Sequence, residues 1–132
     1  MGEKMKESDY KKELSEAEEK NYQEIIDLVE IGQRQKAAQK LDKFLSEHPN
    51  FVPALNKKAV LHIYDKNFNE AQSLLNQILN QDPNYAPAIT NLGSLEKEMG
   101  NLEKAKKFYK KAIKINENYG PAYNNLGVIY RE

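Results

Sequence analysis

Two histidines, His48 and His62, are the whole supply of neutral-pH general bases in this 132-residue chain, and cysteine is absent. A base does catalytic work only when a nucleophile or an orienting carboxylate is held within hydrogen-bond reach. His48 precedes Pro49 where a helix must stop, which reads as a surface turn, and His62 falls on a helix packing position, which reads as a partly buried ring. Carboxylates are plentiful, yet Glu16, Glu18 and Glu19 crowd one charged stretch and read as a solvated helix face. Packing or turns account for each of the glycines Gly93, Gly100, Gly120 and Gly127, so no phosphate-cradling loop is read from them. No catalytic, cofactor or metal site is expected, and the chain reads as non-enzymatic; without thiols there are no disulfides and no thiolate ligands.

The densest charge feature is Lys104, Lys106, Lys107, Lys110, Lys111 and Lys114. Such a cluster is either a solvated face or a contact for an acidic protein, an anionic membrane or nucleic acid. Lys+Arg and Asp+Glu number 20 each over the whole chain, so the balance argues for neither a nucleic-acid nor a membrane partner. Acids outnumber bases in residues 1–51, and bases outnumber acids in 86–119. No apolar run approaches the ~20 residues that span a bilayer. The opening residues lack the apolar core of a secretory signal, and Lys6 stands where a myristoylation site has serine or threonine. A cytoplasmic location is expected.

The elements that would position any site come from a repeat. Pro53, Pro87 and Pro121 are spaced by 34 residues, as are Ala37, Ala71 and Ala105. His48-Pro49-Asn50-Phe51, Asp82-Pro83-Asn84-Tyr85 and Asn116-Glu117-Asn118-Tyr119 occupy one frame. The register divides the chain into a polar N-terminal extension (1–17), repeats at 18–51, 52–85 and 86–119, and the first helix of a fourth at 120–132. Each repeat reads as two helices, broken near Gly32, near Lys66-Asn67 and at Gly100-Asn101. Proline at a helix's first turn loses nothing, because its absent N–H would have had no partner. Helices of this length are marginal alone in water, so packing must hold them. Gly93, Ala105 and Ala112 leave room for close approach, while Leu92 and Tyr109 fill the space between. The first seven or eight residues are expected to be disordered and the rest of the extension solvated. Tyr10, Leu14, Ala17, Asn21, Ile25 and Leu28 at three- or four-residue steps allow the first helix to start near Asp9.

These residues resemble the tetratricopeptide repeat, a helix-turn-helix unit of 34 residues. Repeat 86–119 matches at Ile89, Leu92, Gly93, Ala105, Tyr109 and Ala112, and departs at Glu96 and Glu117. Repeat 52–85 matches at Leu55, Ala59, Ala71, Leu75 and Pro83, with departures at Lys58, His62 and Ile78. Repeat 18–51 keeps Leu28, Ala37, Leu41 and Pro49, while Asn21, Glu24 and Ile25 fall on signature positions. The resemblance implies an all-α, right-handed α-α superhelix, a solenoid of helix pairs, that acts as a protein-protein interaction scaffold and binds a peptide of a partner in a concave groove lined by the first helix of each repeat. Two other readings stay open: a structural module that self-assembles, and the targeting array of an enzyme whose catalytic domain is elsewhere.

By the same resemblance the groove-facing side chains are Tyr22, Ile26, Asn56, Lys57, Val60, Tyr64, Asn91, Ser94, Lys97, Asn124, Asn125 and Val128. Asn91 and Asn125 stand at equivalent positions, where their amides either bond a peptide backbone or simply follow the family consensus. One subset of the family grips the acidic C-terminus of chaperones with a carboxylate clamp. Here Tyr22 or Asn56, Ile26 or Val60, and Pro87 or Pro121 stand where the clamp needs its lysine and asparagine, so a chaperone tail is not expected as ligand. The register stops mid-unit, which suggests a piece of a longer array. Leu126, Ile129 and Tyr130 would then lack a covering helix and could pair with another copy, giving a homo-oligomer.

Overall fold

The computed structural model describes residues 6–131. Among them every regular element is helical: α1 (Glu7–Lys11), α2 (Glu16–Glu30), α3 (Arg34–Glu47), α4 (Val52–Tyr64), α5 (Phe68–Gln81), α6 (Ala86–Glu98), α7 (Leu102–Ile115) and α8 (Gly120–Arg131). Pro53 and Pro87 lie in the first turns of α4 and α6. The turn inside each pair needs one residue with positive φ, and the three that supply it are spaced by one repeat: Gly32 at 82°, Lys66 at 61° and Gly100 at 87°. The following amides of Gln33, Asn67 and Asn101 return to the carbonyls of Leu28, His62 and Glu96, satisfying helix C-termini that would otherwise be open. Lys66 does this without glycine's freedom, at about 1–2 kcal/mol.

Helices pack as α2 on α3, α4 on α5 and α6 on α7, and the inner helices α4, α6 and α8 stack along one side. The chain is thus an all-α, right-handed solenoid. Ala37, Ala59, Ala71, Ala105 and Ala112 are fully buried, so backbones close on one another where the 34-residue recurrence places small residues. At Gly93 the approach is tightest, because a Cβ there would lie 2.5 Å from the Tyr109 ring.

The N-terminal extension departs from the solvated helix expected of it. The disorder expected at the start falls mainly on residues 1–5, outside the described residues, and Glu7 and Ser8 already belong to α1. No continuous helix runs from Asp9. Ser15 caps α2 instead, accepting from the Glu18 N–H at 3.2 Å while the Glu18 carboxylate accepts from the Ser15 N–H at 2.9 Å, a reciprocal box that fixes a helix start. The break lets α1 fold back onto α4, and Tyr10 enters the core against Phe51 and Tyr85. Its hydroxyl donates to the buried Asp82 carboxylate at 2.7 Å.

Both histidines have structural employment. His48 is not an open turn residue: it is half-buried, its ring lies 4.6 Å from that of Phe44, and its Nε2 meets the Glu18 carboxylate at 2.8 Å. The Ser15 backbone N–H, and then the Ser15 side chain and His48, hold the Glu18 carboxyl below its ordinary range. His62 is half-buried, with Nδ1 3.4 Å from the Asn67 amide nitrogen.

Candidate functional site: a concave cleft on α4, α6 and α8

Side chains from the inner helices converge on a cleft of about 330 Å³. Val60, Ile63 and Tyr64 enter from α4, and Asn91, Ser94, Lys97 and Glu98 from α6. Asn125 comes from α8, Tyr109 from α7, and Lys66 from the turn. The residues on α4 and α6 recur at three- and four-residue steps, so one face of each helix supplies them. Val60 and Ile63 are half-buried, whereas Tyr64 is 61% exposed with the Arg34 guanidinium 5.1 Å from its ring centre. The far wall is polar. The Asn91 amide donates to Asn56 Oδ1 at 2.8 Å, leaving its carbonyl oxygen and second amide hydrogen for other partners. Ser94 Oγ and the Tyr109 hydroxyl are 3.2 Å apart. Burial raises the Tyr109 hydroxyl pKa, partly offset by that contact with Ser94, so it stays a neutral donor and acceptor.

Of the twelve positions assigned to the groove, this cleft brings together Val60, Tyr64, Asn91, Ser94, Lys97 and Asn125. Asn56 and Lys57 line a second cleft of about 530 Å³, toward the N-terminal ends of α4, α6 and α8. Ile26 is half-buried against the core, and Asn124 and Val128, on α8, line neither cleft. Tyr22 does not face a groove at all. It is fully buried, with rings of Phe44 and Phe51 each 5.4 Å away and its hydroxyl donating to Glu7 of α1 at 3.4 Å.

The residues expected to be bare at the last helix are mostly covered. Ile129 is buried with Ala105 and Tyr109, and half-buried Leu126 packs on the same cluster, because the preceding helix α7 already lies against this face. Only Tyr130 is open, at 60% exposure, with the Lys106 ammonium 5.2 Å from its ring centre. Groove positions drawn from inner helices alone miss Tyr109 and Lys66. The glycine at Gly93 is the available signal for Tyr109, since a ring seated there carries its hydroxyl through to Ser94. Nothing in the 34-residue pattern points to α1.

Among the described residues no cluster of His, Asp and Glu could hold a metal ion, and no helix is long and apolar enough to cross a membrane. Solved structures with the same arrangement include the first TPR of Spaghetti (RPAP3) bound to the HSP90 peptide SRMEEVD, at 22% identity and a TM-score of 0.69 over 84% of this chain and 88% of that one. The Sgt2 TPR domain from Aspergillus fumigatus matches at 21% identity and a TM-score of 0.72, over 89% and 79%. MamA matches at 22% and 0.67, over 95% and 73%. At these identities the likeness is one of fold. No curated protein matches the sequence. The family model described as tetratricopeptide repeat matches residues 28–95 and again residues 62–127, which together cover most of the chain. The 34-residue period, the stacked helix pairs and this match agree: the chain belongs to the tetratricopeptide repeat family.

Proposed function

We propose that this chain is a non-enzymatic interaction module, cytoplasmic, that binds a peptide segment of a partner protein in the cleft on α4, α6 and α8. One observation carries the reading: Val60, Tyr64, Asn91, Ser94, Lys97 and Asn125 surround a single concave space. Its apolar wall suits an aliphatic or aromatic anchor, and its amide wall suits main-chain N–H and C=O groups of an extended or helical peptide. A chaperone C-terminal tail is a poor fit. The positions at which related arrays place clamp lysine and asparagine hold Tyr22 or Asn56, Ile26 or Val60, and Pro87 or Pro121, and Tyr22 lies beneath α1. Nucleic acid and membrane fit no better, since the lysines of α7 stand outside this cleft.

The test is a selection of random twelve-residue peptides displayed on phage against the full chain, followed by affinity measurement on Val60→Asp and Asn125→Ala. Peptides that use the cleft lose at least tenfold on both variants. Selected peptides that bind the two variants as tightly as the wild type place the ligand elsewhere. Self-assembly through the last helix is the weaker reading, because Ile129 and Leu126 are already packed on α7; a constant monomer mass in light scattering across a concentration series sets it aside.

A further inference from the structure

Helix α1 sits in the solenoid as a ligand sits in a receptor. It has five residues, far below the length at which a helix holds in water, so its conformation is imposed by what it touches. Its anchor is Tyr10, whose ring stands edge-on to Phe51 at 6.2 Å and to Tyr85 at 5.7 Å. The same side chain satisfies the buried Asp82 carboxylate. One turn earlier, Glu7 accepts from the Tyr22 hydroxyl. Every group of this seat belongs to the repeats, and beside Glu7 and Ser8 the 530 Å³ cleft continues along Asn56, Tyr85 and Tyr119. Burial and then the Glu7 charge raise the hydroxyl pKa values of Tyr22, Tyr85 and Tyr119, so all three remain neutral donors toward a carboxylate.

We propose that this seat is a binding site for a short helical peptide of another protein, carrying a carboxylate one turn before a tyrosine, and that α1 occupies it in cis until such a peptide displaces it. The aromatic box takes the ring, Asp82 selects tyrosine over phenylalanine, and the Tyr22 hydroxyl reads the carboxylate. The tether is the connection 12–15, short enough for an effective concentration on the order of millimolar. An outside peptide therefore binds the native chain with its affinity reduced by the fraction of seats that are open.

The probe is a fluorescein-labelled peptide with the sequence of residues 6–12, followed by anisotropy. It should bind Tyr10→Ala at least tenfold more tightly than it binds the wild type, and its tyrosine-to-phenylalanine version should bind at least tenfold more weakly than the parent. Val60→Asp should leave both affinities unchanged, which separates this site from the cleft proposed above. Circular dichroism shows whether Tyr10→Ala folds. If it does not, amide exchange on the wild type decides, with saturating peptide accelerating exchange at Tyr10 and Lys11 and leaving α4 as it was. Equal affinity for the wild type and a folded Tyr10→Ala, α1 exchange indifferent to peptide, or a doubled mass without peptide, which would put a second copy's α1 in the seat, each overturns the proposal.

Discussion

Asn91 donates its side-chain amide to Asn56 Oδ1 at 2.8 Å, tying the third repeat to the second across the concave face, and Asn56 is buried. The bond makes Asn91 structural whatever it also does for a ligand. Asn91→Ala should leave Asn56 Oδ1 buried without its partner, at about 1–3 kcal/mol, while Asn125→Ala, half-buried at the equivalent position, should fall within about 0.5 kcal/mol of wild type. Urea midpoints read the difference. A cycle with Asn56→Ala should return a coupling of about 0.5–3 kcal/mol, and strict additivity would mean the bond does not form in solution.

Gly93 and Gly127 share a repeat position yet should respond to alanine with opposite signs. At Gly93 the new methyl meets the Tyr109 ring at 2.5 Å, and that ring is 1% exposed and has little room to retreat. Overpacking of about 1–3 kcal/mol should outweigh the ~1 kcal/mol of helix propensity gained, for a net loss. At Gly127 an added methyl would meet no atom within 4 Å, so the propensity gain should stand, at up to about 1 kcal/mol. Thermal melts of the two variants should shift in opposite directions; a lower melting temperature for Gly127→Ala would refute the account.

Alkali should unfold this chain through its tyrosines. Burial raises the hydroxyl pKa of Tyr10, Tyr22, Tyr85 and Tyr109 above the ordinary value near 10, and pushes that of Tyr119 up to about 12. The folded state keeps these protons after the unfolded chain, with tyrosines titrating at ~10, has released them. Stability is therefore full below about pH 10 and declines as pH rises through 10 toward 12 and beyond. Tyrosinate absorbance near 295 nm and helical circular dichroism should change together for this buried set. Ionisation of the buried set with helix content intact would show that these hydroxyls reach solvent in the native state.

What could be read from the sequence follows from which constraints repeat. A small residue is required wherever two helix backbones close, so Ala37, Ala71 and Ala105 recur with the fold, and the helix pairs and inner face follow from them. Six of the groove positions meet in one cleft because a register fixed by such contacts also fixes side-chain direction. Tyr22 escapes this logic. Its repeat position is an inner one, but α1, which has no counterpart elsewhere in the register, lies over it. Ile129 escapes for a second reason: a helix end without a following partner reads as bare, although the preceding α7 alone covers it.

The hydrogen bond from Tyr10 to Asp82 closes a loop of 72 residues. A stack of repeats ordinarily melts from its ends, each unit holding only its neighbours. Here α1 reaches past the first repeat to the end of α5, so one contact at this edge of the stack spans two units. While α1 is seated, the coupling between the first two repeats exceeds nearest-neighbour order, and a displaced α1 returns each repeat to its own neighbours.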